Sequence, residues 1–192
     1  MTGRLLPTGS AIDTITLADN RQVIVSCVDA ANPFVFVCYE QLALPMAPTI
    51  RDLSQPDLIA TVMEIRALAA IKMGLAQSIN EAALRMGTPK IALVGPSSSD
   101  DTDISVRAFS MGSPHPTIQM TGAVCVGAAS ATPGTVVNAI IQGKQDLVIS
   151  HACGTMMVRG QAKVEQGEIN IVSGSVYRTA RRLMEGSVMV NY

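Results

Sequence analysis

Apolar positions along this chain change period several times, and each change marks an element. Gln22 to Val28 and Phe34 to Tyr39 are short, β-branched or aromatic runs, which predicts two strands. Between them lies Asp-Ala-Ala-Asn-Pro, a turn in which Pro33 pushes Asn32 into an extended conformation. The pattern then turns helical. Leu58, Val62, Ile65 and Ala69 form a stripe, with Ser54 as the expected N-cap, Pro56 in the first turn and Gly74 as the stop. Ser78-x-x-Glu81 signals a second, short helix ending near Gly87. Strands are predicted at Lys90 to Val94 and Ile104 to Phe109, around a polar loop that begins at Pro96.

Thr121 to Ser130 (TGAVCVGAAS) is small or apolar on every side, so a helix here must be buried all round. Beyond Gly134 the chain reads mostly as strands: Leu147 to Ser150, Thr155 to Val164, Glu168 to Val172, and a stretch around Tyr177 to Met184. Gln166-Gly167 is the expected hairpin turn, and Val136 to Ile141 fits helix or strand equally. The expected fold class is α+β, one domain over residues 1–192 in which many strands surround few helices.

Composition sharpens this picture. Hydrophobic residues make up 48% of the 192, yet aromatics are only 3%, Trp is absent and there are 11 Met. Such a core suits close packing around an enclosed element. A net charge of −1 argues against a nucleic-acid partner. No apolar run approaches the ~18–20 residues of a membrane span. Cys27, Cys38, Cys125 and Cys153 show no CxxC spacing, so no metal site is expected. With no signal peptide at its start, the chain is expected to be cytoplasmic.

Candidate chemistry centres on Ser110 to Ser130. Gly122 and Ala123 fall in the first turn of the buried helix, where backbone N–H groups lack intrahelical partners and the positive dipole end points outward. The residues leave two readings open: an ordinary capped core helix, or a seat for a carboxylate or phosphate. Cys125 lies a turn further in, where a thiol acts as a small hydrophobe. His115 sits on a stiff loop between two prolines, and His151 is two residues from Cys153 in a turn.

These segments also resemble a known family. GRLLPTG (3–9), VSCVDAANPFVFV (25–37), EIRALAAIKMGLA (64–76), PKIAL (89–93), VRAFSMGSPH (106–115), MTGAVC (120–125), PGTVVN (133–138), HACG (151–154) and RTARRLMEGSV (178–188) carry the likeness. The chain is similar to the family containing 2-methylaconitate cis-trans isomerase, methylitaconate isomerase and 4-oxalomesaconate tautomerase. The resemblance implies a diaminopimelate-epimerase-like fold: two similar domains, each a β-barrel round a central helix, with substrate carboxylates held between the two helix N-termini. It further implies that this chain matches the second domain, and that the first is absent along with the Cys and Lys expected to move the proton. No catalytic residue is then expected here.

By the same comparison Asn32 matches an Asn-Pro that contacts substrate, Ser110-Met111-Gly112 lies where the epimerases have Glu-Arg-Gly, and Thr121-Gly122-Ala123 matches their second helix turn. The epimerases' second catalytic cysteine falls near Gln119. His151-Ala-Cys-Gly154 departs from the usual His-Pro-Ser-Gly. The expected substrate-binding set is therefore Asn32, Ser110, Met111, Gly112, His115, Thr121, Gly122 and Ala123, for a small unsaturated di- or tricarboxylate and without metal or organic cofactor. Three functions follow as expectations. The first is one part of an isomerase or tautomerase that shifts a proton over three carbons, inactive alone; the second is a non-catalytic half that assembles with itself or a missing first domain; the third is an epimerase-like enzyme, which the absent Glu-Arg and cysteine disfavour.

Overall fold

In a computed structural model, residues 2–142, 144, 146–165, 168–177 and 180–190 are described, with the backbone alone described at 164, 165, 168 and 169. The strands are β1 (Asp13–Thr16), β2 (Gln22–Asp29), β3 (Pro33–Cys38), β4 (Lys90–Pro96), β5 (Ile104–Ser110), β6 (Ser113–Pro114), β7 (Asp146–His151), β8 (Gly154–Glu165) and β9 (Glu168–Val176). They form one mixed sheet in the order β1-β2-β3-β4-β5-β7-β8-β9, with the short β6 also on β5. The β3–β4 and β5–β7 pairings are parallel and the rest antiparallel. The helices are α1 (Ile50–Leu53), α2 (Pro56–Lys72), α3 (Ile79–Leu84), α4 (Met120–Ser130) and α5 (Val136–Ile141).

Both faces of the sheet are covered, which explains why β3 reads as an unbroken apolar run. Phe34 and Phe36 point into one core with Ala92, Val94, Val106, Ala108 and the residues of α4. Val35, Val37, Ile91, Leu93 and Phe109 point into the other, beneath Val62, Ile65 and Ala69 of α2. The sheet curls round α4, so the helix packs against β8 and β9 on one side and β2 and β3 on the other. This is the predicted barrel, left open because β1 and β9 are the two edges of the sheet.

Helix starts follow local chemistry, with corrections to the expected boundaries. Thr49 and Asp52 make a reciprocal capping box for α1, a short helix ahead of the one expected from Ser54. Ser54 is consequently the residue that ends α1, donating its hydroxyl to Ile50 O at 2.7 Å, and Gln55 precedes Pro56 at the start of α2. Ser78 caps α3 as predicted, accepting from Glu81 N. The ambiguous segment 136–141 is a helix because Thr135 accepts from Asn138 N at 3.1 Å. The expected strand around Tyr177 to Met184 is not formed at residues 177 and 180–184; Arg178, Thr179 and the Gln166-Gly167 turn lie outside the described residues.

Two buried arginines brace the chain through carbonyls. Arg66 donates to the carbonyls of Ala82, Arg85 and Pro89, fastening the end of α3 to α2. Arg107 donates to Pro48 O at 2.7 Å and Ser150 O at 3.0 Å, tying the 43–49 loop and β7 to β5. Burial depresses the pKa of both guanidinium groups.

The tightest contact lies between α4 and β8. A Cβ placed on Gly160 would stand 1.8 Å from Gly127 O, and the three atoms nearest it all belong to the Gly127 backbone. Gly160→Ala is expected to lower stability by about 1–3 kcal/mol or more in urea unfolding. Gly87→Ala, where nothing lies within 4 Å of the new methyl, is expected to shift it far less.

Candidate functional site

The two ends of α4 are treated differently, and that difference defines the site. At the C-terminal end every one of the last four carbonyls has a partner. Ser130 Oγ donates to Gly127 O (2.7 Å), Thr132 Oγ1 to Ala128 O (2.8 Å), Thr135 Oγ1 to Ala129 O (2.6 Å) and Asn138 Nδ2 to Ser130 O (2.7 Å). At the other end Gln119 is the N-cap residue, and its side chain makes no capping bond. Ala123 N–H donates to Gln119 O at 2.9 Å. This corrects the expected donor set by one residue: Ala123 is engaged, and the N–H groups without acceptors among the described residues are those of Met120, Thr121 and Gly122.

Thr121 is exposed, so this end opens to solvent. Gly122 is buried because its missing side chain makes room for the Phe34 ring, which would lie 2.6 Å from a Cβ there. Cys125 Sγ donates to Asn32 O at 2.9 Å, which brings Asn32 against the second turn of α4. The thiol itself is fully buried, and burial pushes its pKa up, so Cys125 belongs to the core.

Ser110 ends β5, and Lys90 Nζ donates to its hydroxyl at 3.4 Å. Met111 and Gly112 follow in the left-handed region (φ 51° and 81°), and the bare Gly112 leaves room for the Met86 methyl. Met111 is 63% exposed on this turn. His115 N–H donates to Ala108 O at 2.8 Å, and its Nδ1 lies 2.8 Å from Thr117 O, so the ring turns onto its own loop.

His151 is the neighbour that sequence spacing did not reveal. Burial, the Arg107 charge and the nearby His115 hold its pKa below the ordinary value, offset in part by the nearby Pro116 backbone. Its Nδ1 accepts from Cys153 N at 3.2 Å, so the turn, rather than the exposed Cys153 thiol, occupies that nitrogen. Gln119 is a second residue outside the expected set. Its Nε2 and Oε1 are both buried without a partner among the described residues, beside the open end of α4.

Nine strands curled round a buried apolar helix make an α+β fold of the diaminopimelate-epimerase-like class. A hydroxyproline epimerase from Agrobacterium vitis shares this fold at a TM-score of 0.54 and 14% identity, over 87% of this chain and 47% of that one. The family model described as PrpF protein matches residues 1–191, and the chain belongs to that family. It is 36% identical to the 2-methyl-aconitate isomerase of Shewanella oneidensis over 98% of this chain and 51% of the relative. A crystal structure of methylitaconate-delta-isomerase superposes at a TM-score of 0.83 and 32% identity, covering 96% of this chain and 51% of that one. The chain thus spans about half the length of the curated relatives it matches.

The His151 environment makes stability pH-dependent. The folded imidazole has a lowered pKa, so the unfolded state binds the proton more readily, and stability falls as pH drops through 6.5. The loss levels off below the lower, folded value. Urea midpoints measured from about pH 7 down to about pH 5 are expected to decline more in the native protein than in His151→Asn.

Proposed function

We propose that this chain is the carboxylate-binding part of an isomerase acting on a small unsaturated di- or tricarboxylate. The observation that carries this reading is the asymmetry of α4, whose last four carbonyls are all satisfied while the N–H groups of Met120, Thr121 and Gly122 at the other end have no acceptor among the described residues. Family membership and the names of the relatives, isomerases of 2-methyl-aconitate and 3-methylitaconate, support the reaction class.

The proposed reaction is a proton shift over three carbons. A base takes a C–H proton next to a carboxylate-activated double bond, the electron pair delocalises toward that carboxylate, and an acid returns a proton at the far carbon. Backbone N–H groups aimed at the carboxylate stabilise the developing negative charge without changing protonation themselves. Asn32, Ser110, Met111, Gly112, His115, Thr121 and Gly122 line the seat in this proposal, with Ala123 contributing packing instead of a free donor. The acid and base come from protein outside this chain, and the setting is cytoplasmic.

The partner surface has its own support. Leu183, Met184, Val188 and Met189 are 84–91% exposed in a segment without secondary structure, an unusual concentration of large apolar side chains. In this reading that segment lies against the remaining part of the enzyme or a second copy. Among the described residues no helix is long and apolar enough to cross a membrane.

Two measurements test the proposal. In D2O with 2-methylaconitate, the purified chain is expected to transfer magnetisation to the ligand without isomerising it. Absence of transfer would contradict the binding role, and full turnover would contradict an external acid and base. In sedimentation the chain is expected to exceed 20.2 kDa, with the mass falling to the monomer when Leu183, Met184, Val188 and Met189 are changed to Ser. A native monomer overturns the partner surface.

A further inference from the structure

Lys90 opens β4, next to Phe34 in the parallel β3–β4 register. Alternate residues of a strand share a face, and Ala92 and Val94 point into the core that holds α4. Lys90 therefore points to the inside of the barrel, at the layer where Phe34 packs under Gly122 in the first turn of the helix. Its ammonium is partly buried, and its partner among the described residues is the neutral Ser110 hydroxyl at 3.4 Å.

Several other cations do have partners. Lys72 closes on Asp13 at 3.0 Å and Lys144 on Asp103 at 2.6 Å, while the terminal nitrogens of Arg66 and the Nε and Nη1 of Arg107 donate to backbone carbonyls. Pairing with Phe34 on β3 fixes where the Lys90 side chain starts, and its ammonium meets no anion among the described residues. At the same end of α4 the Gln119 amide is buried, and neither its nitrogen nor its oxygen has a partner among the described residues, where native structures rarely leave such groups unmatched without a reason.

We propose that Lys90 is the cationic contact of the carboxylate seat and Gln119 its neutral donor. The Lys90 ammonium ion-pairs one carboxylate of a di- or tricarboxylate while the N–H groups of Met120, Thr121 and Gly122 take another. The inference rests on the carboxylate-binding reading above and adds a charge preference to it. Two anionic groups are engaged at once, so monocarboxylates bind more weakly than di- and tricarboxylates. Lysine suits this role because a compact, flexible ammonium follows a carboxylate without needing bidentate geometry.

The test is titration of the native chain with tricarballylate, a saturated tricarboxylate, read by calorimetry and by amide shifts in 15N spectra. Tricarballylate is expected to shift the amides of Met120, Thr121 and Gly122. Lys90→Met is expected to weaken binding about tenfold or more, and Lys90→Arg to keep it within about threefold. Gln119→Leu is expected to weaken binding less than Lys90→Met while leaving the spectrum folded. If Lys90→Met binds as tightly as the native chain with the same amide shifts, the Lys90 assignment is overturned and the helix seat stands. If tricarballylate shifts none of the three amides in the native chain, the seat itself is overturned. Should Lys90→Met lose its dispersed spectrum, Lys90→Gln is read in its place, and unchanged affinity there overturns the assignment.

Discussion

The backbone contact between Gly127 of α4 and Gly160 of β8 sets the terms for the rest of the molecule. With a Cβ on Gly160 only 1.8 Å from Gly127 O, helix and strand can approach this closely because neither carries a side chain there. A helix so enclosed has no room for a polar face, which is why α4 is built from Met, Ala, Val, Cys, Gly, Thr and Ser. Its polarity is confined to its two ends. Ser130, Thr132, Thr135 and Asn138 close the C-terminal one with side-chain donors. The N-terminal one has no side-chain cap, and its first three N–H groups have no acceptor among the described residues.

Several residues of the proposed seat meet near that open end. The Cys125 thiol, too buried to ionise readily, holds Asn32 beside the helix. The bare Cα of Gly122 lets Phe34 slide under the first turn, and Phe34 in turn sits next to Lys90 in the sheet. The turn at Ser110, Met111 and Gly112 borders the same layer through the Lys90–Ser110 contact. The buried arginines serve the fold instead. Both satisfy carbonyls where segments must be joined, so their charges are used within the protein.

Much of this was legible in the sequence, for identifiable reasons. Strands buried on both faces show as unbroken apolar runs, and β3 and β4 were found that way. A helix without a polar face announces its burial, and α4 did so through ten small residues. What escaped were features set by hydrogen bonds across the chain. The start of α4 lies one residue earlier than Thr121, because Gln119 O accepts the first helical bond, and that shifted the free donors. The Thr49–Asp52 box was legible but displaced by the nearby Ser54-x-Pro pattern. Segment 136–141 became a helix through Thr135, a cap that periodicity over six residues could not separate from a strand. Lys90, Gln119 and His151 acquire meaning only when distant elements meet, since no local spacing marks them.

The central claim is that the open end of α4 seats a carboxylate, and a crystal structure of the chain with tricarballylate tests it most directly. Carboxylate oxygens are expected about 2.7–3.1 Å from the backbone nitrogens of Thr121 and Gly122. Finding the ligand elsewhere, or those nitrogens bonded to groups of the protein itself, would contradict the claim.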